Sequence, residues 1–175
     1  MIEKRTEQIK AIQKQLHALK DHELEEMEHF LSLYQDQTVT EDHPNAVPMH
    51  FLGRFLGITQ NQDGTSEMKL GLQNANTYGV AQGGAIYTLA DVAIGFSILQ
   101  DVEEGQKVLT LELKVNFIEK GQGSRLIASP IILRRGRSTV VSECAVMDEQ
   151  GRLVAKALGT FYITSSRKAR EEETS

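Results

Sequence analysis

The sequence predicts an α+β domain in which a curved antiparallel sheet packs on one long central helix, with a helical extension at the N-terminus. Three observations carry this prediction. Ala85–Leu99 is long enough for a helix and apolar nearly all round, the pattern of a buried helix. Leu109, Leu111, Leu113, Val115 and Phe117 alternate with Thr110, Glu112, Lys114 and Asn116, the period of a half-buried strand. Three more strand-like stretches follow at about Arg125–Leu133, Thr139–Met147 and Leu153–Ile163, separated by turn residues Arg135-Gly136 and Asp148–Gly151. Strands in succession beside a segregated helix give an antiparallel sheet on one side of that helix. One curved sheet covers only part of a helix, and a second copy of the chain is the simplest cover for the rest.

The remaining elements follow in order. Residues 3–35 read as helix in two pieces. Ile9, Ile12, Leu16 and Leu19 form one apolar stripe, Asp21 is a cap, and Leu24, Met27 and Leu31 begin a stripe in a new phase. Residues 1–40 form the helical arm and Gln37–Pro48, with two prolines, a linker. The main domain is expected over 45–164. It opens with a strand at Phe51–Thr59, a turn at Asp63-Gly64, and a second strand in which Met68, Leu70 and Leu72 alternate. The charged tail at 165–175 is expected to be disordered.

Composition removes several classes of function. A net charge of −5 argues against nucleic acid and anionic membranes as partners, and the arm holds five Lys/Arg against eight Asp/Glu. The longest apolar run is too short to span a bilayer, and the N-terminus lacks the apolar stretch of a signal peptide. A cytoplasmic protein is expected. Cys144 is the single cysteine, so no intrachain disulfide forms, and it reads as packing in a strand. All five histidines, His17, His22, His29, His43 and His50, precede residue 51. From residue 51 on the chain therefore holds neither a Ser-His-Asp nor a Cys-His system without help from the N-terminal segment, and no zinc or other metal site is expected. Acid–base chemistry there falls to a carboxylate, Lys or Tyr.

Asn76-Thr-Tyr-Gly-Val-Ala-Gln82-Gly83-Gly84 runs directly into the apolar helix, which carries Asp91 in its middle. Backbone N–H groups at a helix start have no intrahelical acceptor, and the helix dipole favours negative charge there. Gly83 and Gly84 would let a carbonyl approach those donors closely, or they serve only the turn. Asp91 is either a reactive carboxylate or a structural one bonded to backbone or to Thr88. Asn76 is either a substrate-orienting amide or a turn residue. Arg134, Arg135 and Arg137 cluster at a turn, where guanidinium groups suit phosphates or simply meet solvent.

The ordered set Asn76, Gln82-Gly83-Gly84 and Leu89-Ala-Asp91 resembles the hot-dog-fold acyl-CoA thioesterases of the phenylacetate-pathway type. The similarity runs over about residues 51–163 and includes Thr110–Phe117, Arg135-Gly-Arg137 and Gly151–Phe161. The resemblance implies a hot-dog fold, a homodimer that often pairs into a dimer of dimers, and a thioester substrate on a pantetheine arm. It implies hydrolysis of a small or medium acyl-CoA, aromatic acyl groups included, with no cofactor beyond the coenzyme A of the substrate. Asp91 would be general base or nucleophile, Gly83 and Gly84 the oxyanion site, and Asn76 an orienting residue. Thr110 matches a position near the attacking water, and the three arginines would meet coenzyme A. Gln82 departs from the His that the family commonly has, and glutamine does not titrate near neutral pH.

Gly83 and Asp91 are eight residues apart, about 12 Å along a helix, too far for both to touch one carbonyl. If two helices run antiparallel across a dimer, Gly83 of one subunit approaches Asp91 of the other, and the family is built this way. Two alternatives remain at this stage. One is a non-catalytic acyl-CoA-binding or sensing protein, which Gln82 would suit. The other is a thioester dehydratase or hydratase, which the absence of His disfavours.

Overall fold

The computed structural model describes residues 2–35, 49–103 and 105–164. The chain divides into two compact units, Met1–Asp36 and Gln37–Ser175. The expected linker at Gln37–Pro48 and the expected tail at 165–175 lie outside the described residues.

The first unit is a pair of helices, α1 (Ile2–Leu16) and α2 (Asp21–Gln35). The break falls at the expected place. Lys20 N–H donates to the Glu23 carboxylate at 2.8 Å, and Asp21 and Glu23 put negative charge in the first turn of α2. Ile9, Ile12, Leu24, Met27 and Leu31 are all exposed.

The second unit opens with a short helix, α3 (Phe51–Phe55), where a strand was expected over Phe51–Thr59; β1 is only Ile58–Gln60. The cap explains the difference. His50 Nδ1 accepts the N–H of Gly53 at 3.0 Å, and Gly57, at φ 73°, turns the chain out of the helix. A run of apolar residues serves either element, and the cap decided it. The hairpin turn is as expected: Gly64 has φ 84°, and Asp63 Oδ1 accepts from Thr65 N–H and Oγ1 at 2.9 and 2.6 Å. β2 is Ser66–Lys69. Leu72, expected to continue it, sits exposed in a 3-10 turn at Leu72–Asn74.

The central helix α4 spans Gly83–Leu99. After it come β3 (Val108–Phe117), β4 (Arg125–Arg135), β5 (Thr139–Asp148) and β6 (Leu153–Ile163). The six strands form one antiparallel sheet in the order β1-β2-β4-β5-β6-β3, so β3 is an edge. All six strands contact α4. Leu89, Ala90, Ala93, Ile94 and Ile98 are fully buried against an inner sheet face that includes Met68, Leu126, Ala128, Val140, Cys144, Val146 and Phe161.

Within one chain the sheet covers α4 only in part, as expected of a single curved sheet. Gly84, Tyr87, Thr88, Asp91 and Gly95 form a less buried stripe at helical spacing, and a Cβ on Gly84 or Gly95 would meet nothing within 4 Å. A sheet on one side of a helix leaves the other side uncovered.

β3 carries a correction. Strict alternation would put Thr110 on the face opposite Leu113. Instead Thr110 pairs with inward-facing Phe161, while Glu112 pairs with Thr160, and the register shifts between them. Leu111 is the extra residue of a β-bulge. It inverts the side-chain faces before it, so Thr110 turns toward α4 and Leu109 turns away.

Candidate active site

The site is built along the seam between α4 and the edge strand β3, where three contacts step along both elements. The ring of Phe117 abuts Gly83, 3.3 Å from where a Cβ would stand. The hydroxyl of Tyr87 donates to the carbonyl of Leu113 at 3.0 Å. The hydroxyl of Thr110 donates to Asp91 Oδ1 at 2.8 Å.

Asp91 is half-buried on the uncovered stripe rather than enclosed in the core. Its hydrogen-bond donor is Thr110 and not Thr88, whose hydroxyl donates to Gly84 O, four residues back, at 3.0 Å. The Thr110 bond orients the carboxylate and leaves Oδ2 for a water or a carbonyl carbon.

The start of α4 carries no side-chain cap. Gln82 is its N-cap residue, and the Gln82 carbonyl accepts the N–H groups of Ala85 and Ile86 at 3.0 and 3.1 Å. Gly83 and Gly84 precede those donors, in the first turn where N–H groups lack helical acceptors. The side chain of Gln82 is exposed.

Asn76 serves its own loop. Its Oδ1 accepts from Tyr78 N–H at 2.9 Å and Val80 N–H at 3.3 Å, so a substrate would meet only its amide nitrogen. Asn74, which sequence reasoning missed, is the buried organiser of this region. Its Nδ2 donates to the carbonyls of Leu56 and Lys69 at 3.0 and 2.8 Å, and its Oδ1 accepts from Gly71 N–H at 3.2 Å. Its own carbonyl accepts Gln82 N–H at 2.8 Å, tying the helix start to the sheet. Two asparagines two residues apart offered no signal to separate these roles.

The arginines divide. Arg135 donates to the Asp101 carbonyl at 2.8 Å and lies 3.6 Å from its carboxylate, a cation at the C-terminal end of α4. Arg134 and Arg137 are exposed at the same turn. Cys144 is fully buried, and burial pushes its thiol up to about 12, which fits packing and not reactivity. Among the described residues, no cluster of His, Cys, Asp and Glu could hold a metal ion. No helix among them is long and apolar enough to cross a membrane.

Residues 78–155, from the glycine loop through the start of β6, match the family model of the thioesterase superfamily. Over those residues this domain is similar to that superfamily. Its fold is the hot-dog fold, and thioester hydrolysis is the activity that gives the superfamily its name. A protein of Saccharolobus solfataricus provisionally named as an esterase is 35% identical over 85 residues, 49% of this chain and 60% of that protein. A second, similarly named protein of the same organism is 29% identical, covering 62% of this chain and 75% of the other. The chain thus spans less than two thirds of the first relative's length. Among solved structures, a Bacillus halodurans protein crystallised with CoA superposes with a TM-score of 0.71 at 23% identity, over 88% of this chain and 99% of that one. The PaaI protein from the phenylacetic acid degradation operon of E. coli superposes at 0.60 with 20% identity, over 67% and 86% of the two chains. These two likenesses establish the shared fold.

Proposed function

We propose that the protein hydrolyses small or medium acyl-CoA thioesters, aromatic ones included, to the free acid and coenzyme A. The observation that carries this reading is the Thr110-oriented carboxylate of Asp91, half-exposed on the same helix that begins with an uncapped Gly83-Gly84 turn. The family match and the CoA-bound Bacillus halodurans neighbour support a CoA thioester as the substrate. The PaaI neighbour supports an aromatic acyl group.

The chemistry uses two helices. About 12 Å separates Gly83 from Asp91 in one chain, so each site joins Asp91 of one subunit to Gly83 and Gly84 of an antiparallel partner. The uncovered stripe of α4, open at Gly84 and Gly95, is the surface on which that partner packs. The partner's N–H groups stabilise the charge that develops on the thioester oxygen. Asp91 takes a proton from water as the water adds to the carbonyl carbon. The tetrahedral intermediate then expels the thiolate, and the proton passes from Asp91 to sulfur. With Asp91 as nucleophile, a mixed anhydride forms first and water opens it. Gln82 and the amide of Asn76 border the same loop and hold the substrate by hydrogen bonds, and Arg134 and Arg137 meet the phosphates of coenzyme A.

The test is thiol release from a panel of acyl-CoAs by wild type and Asp91→Asn. A fall in kcat of about a hundredfold or more with the assembly unchanged is expected, as for loss of a general base. Equal turnover in the two proteins sinks the mechanism, and binding without turnover in wild type leaves a binding protein. A single turnover in oxygen-18 water places label in Asp91 only if it is the nucleophile.

A further inference from the structure

The geometry points to Tyr87 as the end wall of the acyl pocket and hence as the residue that sets acyl-chain length. This inference rests on the two-helix site proposed above. Of the large apolar side chains on α4, only Tyr87 is substantially exposed, at 41%. Ile86 is buried in the core, and Tyr78 projects from the loop at 88% exposure, so neither lines the seam. Phe117, the other aromatic side chain of the seam and also exposed, stands against Gly83 at the proposed oxyanion end rather than between the two chemical ends.

Tyr87 stands midway between the two chemical ends of α4. It is four residues, about 6 Å of helix axis, from both Gly83 and Asp91. Its ring is fixed, because the hydroxyl donates to Leu113 O on β3 at 3.0 Å and so bridges the seam. An antiparallel two-fold that sets Gly83 opposite Asp91 sets residue 87 opposite its own copy. The two tyrosines then flank the symmetry axis, each between the two sites. An acyl group whose carbonyl lies at Asp91 and whose tail runs inward along α4 meets a phenol ring within about 6 Å. That space fits a short chain or a flat aryl group, which packs well on a tyrosine face. A longer chain is stopped unless the ring moves and the hydroxyl gives up its carbonyl.

The experiment compares kcat/KM for butanoyl-, octanoyl-, dodecanoyl- and phenylacetyl-CoA in wild type, Tyr87→Ala and Tyr87→Phe, with equilibrium dissociation constants for the same ligands. Wild type is expected to favour butanoyl and phenylacetyl over dodecanoyl. In Tyr87→Ala the dodecanoyl-to-butanoyl ratio is expected to rise on the order of tenfold, an effect that two newly buried methylenes supply. Tyr87→Phe, which keeps the ring without its latch, is expected to lie between. A merely structural role lowers all substrates together and leaves the ratio alone. An unchanged ratio in Tyr87→Ala, with unfolding temperature and assembly as in wild type, overturns the inference. If wild type hydrolyses none of the four, the hydrolytic reading fails, and the dissociation constants still decide this one by the same ratio.

Discussion

The hydrogen bond from Thr110 fixes one oxygen of Asp91, and the proposed mechanism uses the other. Bonds to charged groups are worth roughly 1.5–3 kcal/mol. Thr110→Ala should therefore lower kcat by about ten- to a hundredfold with little change in KM, whereas Thr110→Ser, which keeps the donor, should retain most activity. Steady-state kinetics of the two variants decides the matter, and equal losses would show that the methyl group, not the hydroxyl, is what counts. At this scale the sequence was partly legible. A lone aspartate in an apolar helix and paired glycines at its start are chemically conspicuous. Thr110 is not, because strict alternation would turn it away from Asp91, and only the family resemblance singled it out. Asn74 was invisible, since its four partners lie on the α3–β1 junction, β2, the 3-10 turn and the glycine loop, which only the fold brings together.

Among the elements, the hairpin between β5 and β6 is held by one acid. The side chain of Asp148 is nearly fully buried and accepts from Gln150 N–H, Arg152 N–H and Arg152 Nε at 2.9, 3.0 and 2.7 Å. Burial alone would raise its pKa, but these bonds, those of Arg152 foremost, outweigh it and hold the carboxyl below the usual range. A depressed native pKa stabilises the fold above the unfolded value, about 3.9, and that contribution is lost as pH falls through the native value. The melting-temperature gap between wild type and Asp148→Asn should be constant above about pH 5 and shrink on acidification below the ordinary aspartate range. A gap independent of pH would refute this. Elements with a long period were legible: α1, α2, α4 and β3 to β6 fall where periodicity and turn residues put them. The short ones were not. His50 as a cap made a helix of Phe51–Phe55, and one extra residue in β3 cannot be seen by counting alternation.

For the whole molecule, the proposed sharing of sites between subunits makes a sharp prediction. Asp91→Asn and Gly83→Val, which thrusts a branched side chain at Phe117, should each be inactive. Mixed by unfolding and refolding together, they should recover about a quarter of wild-type activity, since half the dimers are hybrids and each hybrid holds one complete site. No recovery, with hybrid dimers demonstrated by a tag, would mean that each chain carries its own site. The hybrid works only if two copies meet, and β3 bears on how they meet. This strand supplies Thr110 and is also an edge of the sheet, ten residues long with exposed Leu109 and Leu111. Such a border recruits any extended chain that passes. On the proposed dimer a newly made subunit is then in a race: its partner must settle on the α4 stripe beside that border before a stranger pairs with the strand. Slow synthesis, dilution or a crowded refolding mixture would cost soluble yield and active sites in the same proportion.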